Sequence, residues 1–267
     1  MTAKSSIAPA RDSATIMLVR DKPAADGIEV FMLQRHRSAD FGGAWVFPGG
    51  LAADADYAEQ LEPYCVGISD TEASQQLGVE VGGLALWVAA IRECFEESGY
   101  LLARDFAGQR CQPGEQHHCD RFEDYRKALA DGSLTLLQVC ESESLTLTCD
   151  DLAYVSFWTT PEALPRRYAT RFFVAAVPDG QEGVADGRET ICSRWVCPVA
   201  AMQPEMQREL KLHPPTVENL RWLSNHTSVD AVMAAAQAID PSTIREILPV
   251  IRQDGERVHI DLLDASQ

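Results

Sequence analysis

The sequence predicts an α/β sandwich, a mixed β-sheet with helices against it. Three observations point there. Two short runs of strand character, Ala14–Arg20 and Ile28–Arg35, flank the turn-forming segment DKPAADG and read as an antiparallel hairpin. The run Leu84–Ser98 places Trp87, Ala90, Ile91 and Cys94 at i, i+3, i+4 and i+7, one face of a helix. Further strand-like runs at Ala153–Trp158, Thr170–Val177 and Arg188–Val196 are interleaved with helical ones, which favours a mixed sheet over a doubly wound parallel one.

In chain order, residues 1–12 read as a flexible tail ahead of the hairpin. RHRSADFGGAWVFPGG then holds a short strand, Trp45–Phe47, stopped by Pro48, and Gly49-Gly50 let the backbone turn tightly and approach another group closely. Ser69–Gly78 is punctuated as a short helix, with an N-cap candidate in front and glycine behind. Gly99 is placed to end the Leu84–Ser98 helix as its C′ residue. Asp120–Ala130, Pro215–Ser224 and Val229–Ile239 are the later helices, and Leu248–Leu263 is a hairpin around Asp254-Gly255. The expected organisation is one main domain over 13–225 with an insertion at about 57–83. Residues 226–267 append a helix and hairpin to it.

Composition narrows the class of function. The 46% hydrophobic and 24% charged content is that of a globular protein with a substantial core. A net charge of −17 argues against nucleic acid, whose affinity rests on cation–phosphate attraction. No run of signal-peptide or membrane-span length occurs, and the ending DASQ is no peroxisomal address, so a cytoplasmic location and no membrane partner are expected. The eight cysteines are accordingly expected as reduced thiols. Cys111, His117, His118 and Cys119 have metal-ligand chemistry but lack a second Cys-x2-Cys or His-x3-His half, and read as a polar loop rather than a zinc knuckle.

One stretch breaks local rules. Arg92-Glu93-Cys94-Phe95-Glu96-Glu97-Ser98-Gly99 puts three glutamates at the C-terminal, electronegative end of a helix, unfavourable by ~0.3–1 kcal/mol each. Glu93–Glu97 and Glu93–Glu96 are also like-charge neighbours, each adding ~0.2–0.5 kcal/mol of repulsion. Local rules broken this densely call for a functional reason.

Arg92–Tyr100, with Gly49-Gly50 upstream, resembles the Nudix box, G-x5-E-x7-R-E-U-x-E-E-x-G-U, where U is a bulky apolar residue. The second half fits, with Cys94 and Tyr100 at apolar positions. The first half departs: Asp56 stands for the glutamate, and 28 extra residues separate it from Arg92. A box split in this way is similar to the branch of the Nudix hydrolases that includes the peroxisomal coenzyme A diphosphatases. The likeness extends to LQRHRSADFGGAWVFPGG, LWVAAIRECFEESG, PRRYATRFFVA and LHPPTVENLRWL, in that order.

The resemblance implies a Nudix-type α/β/α sandwich with a helical insertion within the box. It also implies a Mg2+- or Mn2+-dependent diphosphatase. Glu93, Glu96, Glu97 and the Gly49 carbonyl would hold the ion, with Arg92 braced on Asp56. Glu93, Glu97 and Glu189 are the catalytic candidates, with Glu182 as alternative to Glu189 for the acid outside the box. Arg35, Arg37, Arg166, Arg167 and Arg171 are candidates for the substrate's phosphates. The substrate implied is a small nucleoside diphosphate derivative, foremost coenzyme A or an acyl-coenzyme A. ADP-ribose or NADH is the alternative, as are a non-catalytic ligand sensor and an isomerase on the same scaffold.

Overall fold

The computed structural model describes residues 7–23, 26–38, 42–114, 119–254 and 257–264, the last stretch from 251 onward as backbone. Among these, β1 (Ala10–Asp21), β2 (Ile28–Arg35), β3 (Trp45–Val46), β4 (Gly49–Leu51), β7 (Ala153–Thr159), β8 (Arg167–Ala176), β9 (Thr190–Val196), β10 (Glu246–Asp254) and β11 (Arg257–Asp264) form one sheet. Its order is β11-β10-β7-β8-β1-β2-β3, with β4 also on β1 and β9 also on β2. The pairs β1–β8 and β7–β10 are parallel and the others antiparallel, so the sheet is mixed, as the interleaving of runs predicts. A second, two-stranded sheet joins β5 (Ala103–Asp105) to β6 (Leu145–Leu147).

β1 is central, and its side chains divide between two cores by the period of two. Ala14, Ile16 and Leu18 enter one core with the helix α2 (Leu84–Ser98), while Met17 and Val19 enter the other. The first core also takes residues of α3 (Cys119–Ala130) and α4 (Leu136–Glu143). The second takes residues of α5 (Pro198–Ala201), α6 (Pro204–Leu210), α7 (Pro214–Leu223) and α8 (Val229–Gln237). Burial on both faces is why Ile16–Val19 is an unbroken apolar run.

The insertion is helical. A 3-10 helix, Glu59–Tyr64, leads to α1 (Asp70–Leu77), capped by Ser69 and Glu72 and closed by Gly78 at φ 67°. It returns the chain to α2 with direct bonds: the Asp70 carboxylate accepts from the amides of Gly82 and Leu84, each at 3.0 Å, and Ser74 Oγ from Gly83 at 2.9 Å. Asp70 so supplies the cap that Gly83 cannot.

Several expectations are corrected. Ala10–Asp12, placed in the tail, are strand, paired with Arg167–Ala169. Gly49-Gly50 are strand β4 rather than a tight turn, flush against Thr15 and Ala14; a Cβ on Gly49 would stand 2.5 Å from the Ala14 carbonyl oxygen. β5, β6, α4, α5 and α6 carry too few residues, or too weak a period, to read from sequence. His117, His118 and Gly255 lie outside the described residues. No disulfide forms among the described residues, and none of their helices is long and apolar enough to cross a membrane.

Candidate active site

α2 does not present its glutamates as a solvated face. Only Glu93 and Glu96 of its fifteen residues escape full burial, because the outer helices cover the side away from the sheet. Glu97 is 4% exposed. The apolar stripe of Trp87, Ala90, Ile91 and Cys94 is buried as the spacing predicts, and the burial extends around the helix to Glu97.

Arg92 organises them. Its Nε donates to Asp56 Oδ1 at 2.9 Å, and its Nη2 to Asp56 Oδ2 at 2.9 Å and the Leu51 carbonyl at 2.8 Å. Its Nη1 donates to Glu93 and Glu96, both at 2.9 Å. All N–H donors of the guanidinium are thereby used. The Asp56 side chain is 1% exposed, so this ion pair is shielded from water. Burial opposes the Arg92 charge, but Asp56, Glu93 and Glu96 outweigh it and hold the guanidinium firmly protonated. The insertion does not separate the two halves of the motif in space.

β4 reaches the same acids from the other side. The Gly49 amide donates to Glu97 Oε2 at 3.0 Å, while Glu97 Oε1 is buried with no partner among the described residues. A Cβ on Gly50 would lie 2.5 Å from Glu93 Cδ, so any larger residue there would push the Glu93 carboxylate aside. Burial pushes Glu93 up to about 7, Arg92 opposing and Glu96 adding to the rise. Glu96 is raised by the same cause, and Glu97 is raised strongly by burial and by Glu93. Glu189 adds to the acidic potential at both Glu96 and Glu97.

A cleft of about 860 Å³ opens over these residues. Arg35, Gly49, Gly50, Arg92, Glu93, Glu96 and Glu189 line one part. The lining also takes in apolar and aromatic side chains, among them Trp158, Leu164, Tyr168, Phe172 and Pro214. Two buried donors of lining residues, Arg35 Nε and Thr159 Oγ1, have no partner among the described residues. Among the described residues no three His, Cys, Asp or Glu side chains stand in ligand geometry as they are; Glu93 and Glu96 are both paired with Arg92.

The remaining sequence candidates divide. Glu189 lines the cleft and Glu182 does not. Arg37 and Arg166 are exposed and outside the lining. Arg167 donates to the carbonyls of Thr160 and Ala8, and Arg171 lies over the Phe157 ring at 3.5 Å and near Asp12. The expected Arg166–Arg171 patch is therefore corrected: β8 alternates, so Tyr168, Thr170 and Phe172 line the cleft while Arg167 and Arg171 point elsewhere. Arg11 and His213 also line it. Arg11 was hidden by the reading of residues 1–12 as tail. The LHPPTVENLRWL block signalled the His213 region without giving it a role.

This sheet, flanked by helices and carrying a glutamate helix against a glycine strand, defines a Nudix fold. The crystal structure of a NUDIX hydrolase from Alicyclobacillus acidocaldarius shares it, with a TM-score of 0.68 at 24% identity over 86% of this chain and 97% of that one. The chain belongs to the family described as the NUDT19 Nudix domain, which it matches over residues 62–223. It is 26% identical to the acyl-coenzyme A diphosphatase NUDT19 of Homo sapiens, over 78% of this chain and 63% of that protein. For the Gallus gallus protein of the same name the figures are 28%, 82% and 69%. The chain thus spans less than two thirds of the human relative's length.

Proposed function

We propose that this chain is a divalent-metal-dependent Nudix hydrolase that cleaves the diphosphate of an acyl-coenzyme A or of coenzyme A. The observation that carries this reading is the buried acid cluster beneath the cleft, with Glu97 Oε1 lacking a partner among the described residues and Glu93 and Glu97 raised by burial. Uncompensated buried carboxylates are costly, and oxygen donors of this kind suit Mg2+ or Mn2+. Glu93, Glu96, Glu97 and the Gly49 carbonyl would hold the ion. A cation there would neutralise phosphoryl oxygens and activate water for in-line attack.

The protein's own groups do the rest. Arg92 keeps Asp56 and Leu51 against α2, so that β4 and the glutamates stay in register. Arg35 lines the glutamate end and is suited to phosphate oxygens. Glu189, which comes from outside α2 and is not engaged by Arg92, takes the proton of the attacking water. The apolar side chains in the cleft's lining favour a ligand with an apolar arm, which supports an acyl-coenzyme A over ADP-ribose or NADH, whose two ends are both polar. The names of the NUDT19 relatives support the same substrate, and a cytoplasmic setting remains our reading.

The test is a panel of coenzyme A, acetyl- and octanoyl-coenzyme A, ADP-ribose and NADH, each with Mg2+, Mn2+ or EDTA. We expect EDTA-sensitive release of 3′,5′-ADP from the coenzyme A members, reduced at least about 100-fold in Glu189→Gln. Cleavage of ADP-ribose or NADH alone would keep the chemistry and discard the substrate. Binding without any cleavage would leave a ligand sensor.

Stability should report the ion independently. A carboxyl whose folded pKa is raised contributes full stability below its unfolded value and loses it as pH rises through the folded one. Metal-free protein should therefore lose stability from about pH 4.5 upward, through Glu93 at about 7. Mg2+ needs the ionised forms, so its effect on Tm should grow from pH 5.5 to pH 8. A Mg2+ effect on Tm that is absent or flat across this range would remove the ion from these carboxylates.

A further inference from the structure

The glutamate helix ends against a cation from another part of the chain. Arg126, on α3, is 8% exposed. Its Nε donates to the Phe95 carbonyl at 3.0 Å, and its Nη2 to the carbonyls of Glu96 and Val184, both at 3.1 Å. The next two carbonyls, of Glu97 and Ser98, accept from the amides of Asp186 at 3.1 Å and Val184 at 2.8 Å. The last four carbonyls of a helix are the ones its own geometry leaves bare. Here the Gly99 amide already meets the Phe95 carbonyl at 2.9 Å, sharing it with Arg126, and the guanidinium and the 184–186 segment meet the other three.

That segment leads directly to Glu189. The Asp186 carboxylate accepts from the amides of Glu189 at 3.0 Å and Thr190 at 2.8 Å, and from Thr190 Oγ1 at 2.6 Å. Hydrogen bonds and the 184–186 backbone so connect Arg126 and the end of α2 to the main chain of Glu189, which lines the cleft with Glu93 and Glu96. Arg126 also places positive charge at the electronegative helix end that three carboxylates crowd, so part of their dipole penalty is offset before any ion binds. Arg126 itself does not line the cleft.

We propose that Arg126 is a positioning residue for the acid site, bridging the C-terminal carbonyls of α2 to the 184–189 segment so that Glu189 is held at the cleft that Glu93 and Glu96 line. This rests on our reading of those acids as the cation- and water-handling groups. A guanidinium is required rather than a simple charge, because one planar group must reach three carbonyls at once.

The experiment measures Mn2+ binding by calorimetry, together with steady-state kinetics and Tm, for wild type, Arg126→Gln, Arg126→Lys and Gly183→Ala. In Arg126→Gln we expect Mn2+ affinity and kcat each to fall about 10-fold or more, with substrate KM within about threefold. Arg126→Lys should recover part of the Mn2+ affinity and little of kcat. Gly183→Ala leaves Arg126 and every glutamate in place, but its Cβ would stand 2.0 Å from Tyr100 Cε2 and lift the segment away. The same fall in kcat is expected there, which keeps the test intact should Arg126→Gln not fold. Wild-type Mn2+ binding and kcat in Arg126→Gln or Gly183→Ala, with only Tm lowered, would overturn the proposal and leave the hydrolase reading standing. Wild-type protein that binds no Mn2+ and cleaves nothing would overturn that reading and this inference with it.

Discussion

Glu97→Gln lowers kcat at least about 100-fold and at the same time raises the Tm of the metal-free protein. Both effects follow from one geometry. Glu97 is 4% exposed, its Oε2 accepts from the Gly49 amide, and its Oε1 has no partner among the described residues. A glutamine oxygen can still accept from Gly49, so β4 keeps its place against α2. What disappears is a buried charge beside Glu93, which burial disfavours. Without a cation that loss is a gain in stability; with one, it removes an anionic ligand. Calorimetric scans in EDTA and in Mg2+, beside initial rates, separate the two. The pH dependence of the metal-free Tm should also flatten in the variant. Turnover within about threefold of wild type would exclude Glu97 from the site. A lower metal-free Tm would mean that the charged form is held by partners we have not identified.

The second large effect falls on stability. Arg92→Met is expected to destabilise the protein by about 3–5 kcal/mol, the usual cost of leaving one half of a buried ion pair behind. Asp56, with its side chain 1% exposed, would lose three of its contacts, and Glu93, Glu96 and the Leu51 carbonyl one each. Arg92→Lys keeps a charge but not the fork, and should recover less than half of the loss. Urea denaturation in EDTA measures both. A double-mutant cycle with Asp56→Asn should show strong coupling, because the two residues share one buried contact. A loss below about 1 kcal/mol for Arg92→Met would reduce the pair to the level of an exposed salt bridge.

Much of the acid site was legible before any coordinates, and the reason is local. Helix spacing, N-caps and a C′ glycine bounded α1 to within a residue and α2 to Leu84–Ser98. The crowding of Glu93, Glu96 and Glu97 was visible because charges near a helix end interact through neighbours in sequence. Trp158, Leu164 and Pro214 were not legible as one wall, since they come from β7, the segment that follows it and α7. The arginines of PRRYATR misled for a related reason. Charge clustered in sequence disperses on a strand, where neighbours face opposite sides.

The sequence by itself determined the helix, its three glutamates, the glycines of β4 and the mixed α/β class, since each depends on period, punctuation or the absence of a side chain. Tertiary structure alone decided that Asp56 meets Arg92 across 36 positions, that Glu97 is buried, and that Arg126 closes the helix end. Those outcomes depend on which distant segments pack together and exclude water. A carboxylate's burial and a guanidinium's choice of carbonyls are properties of that enclosure, which no stretch of residues carries on its own.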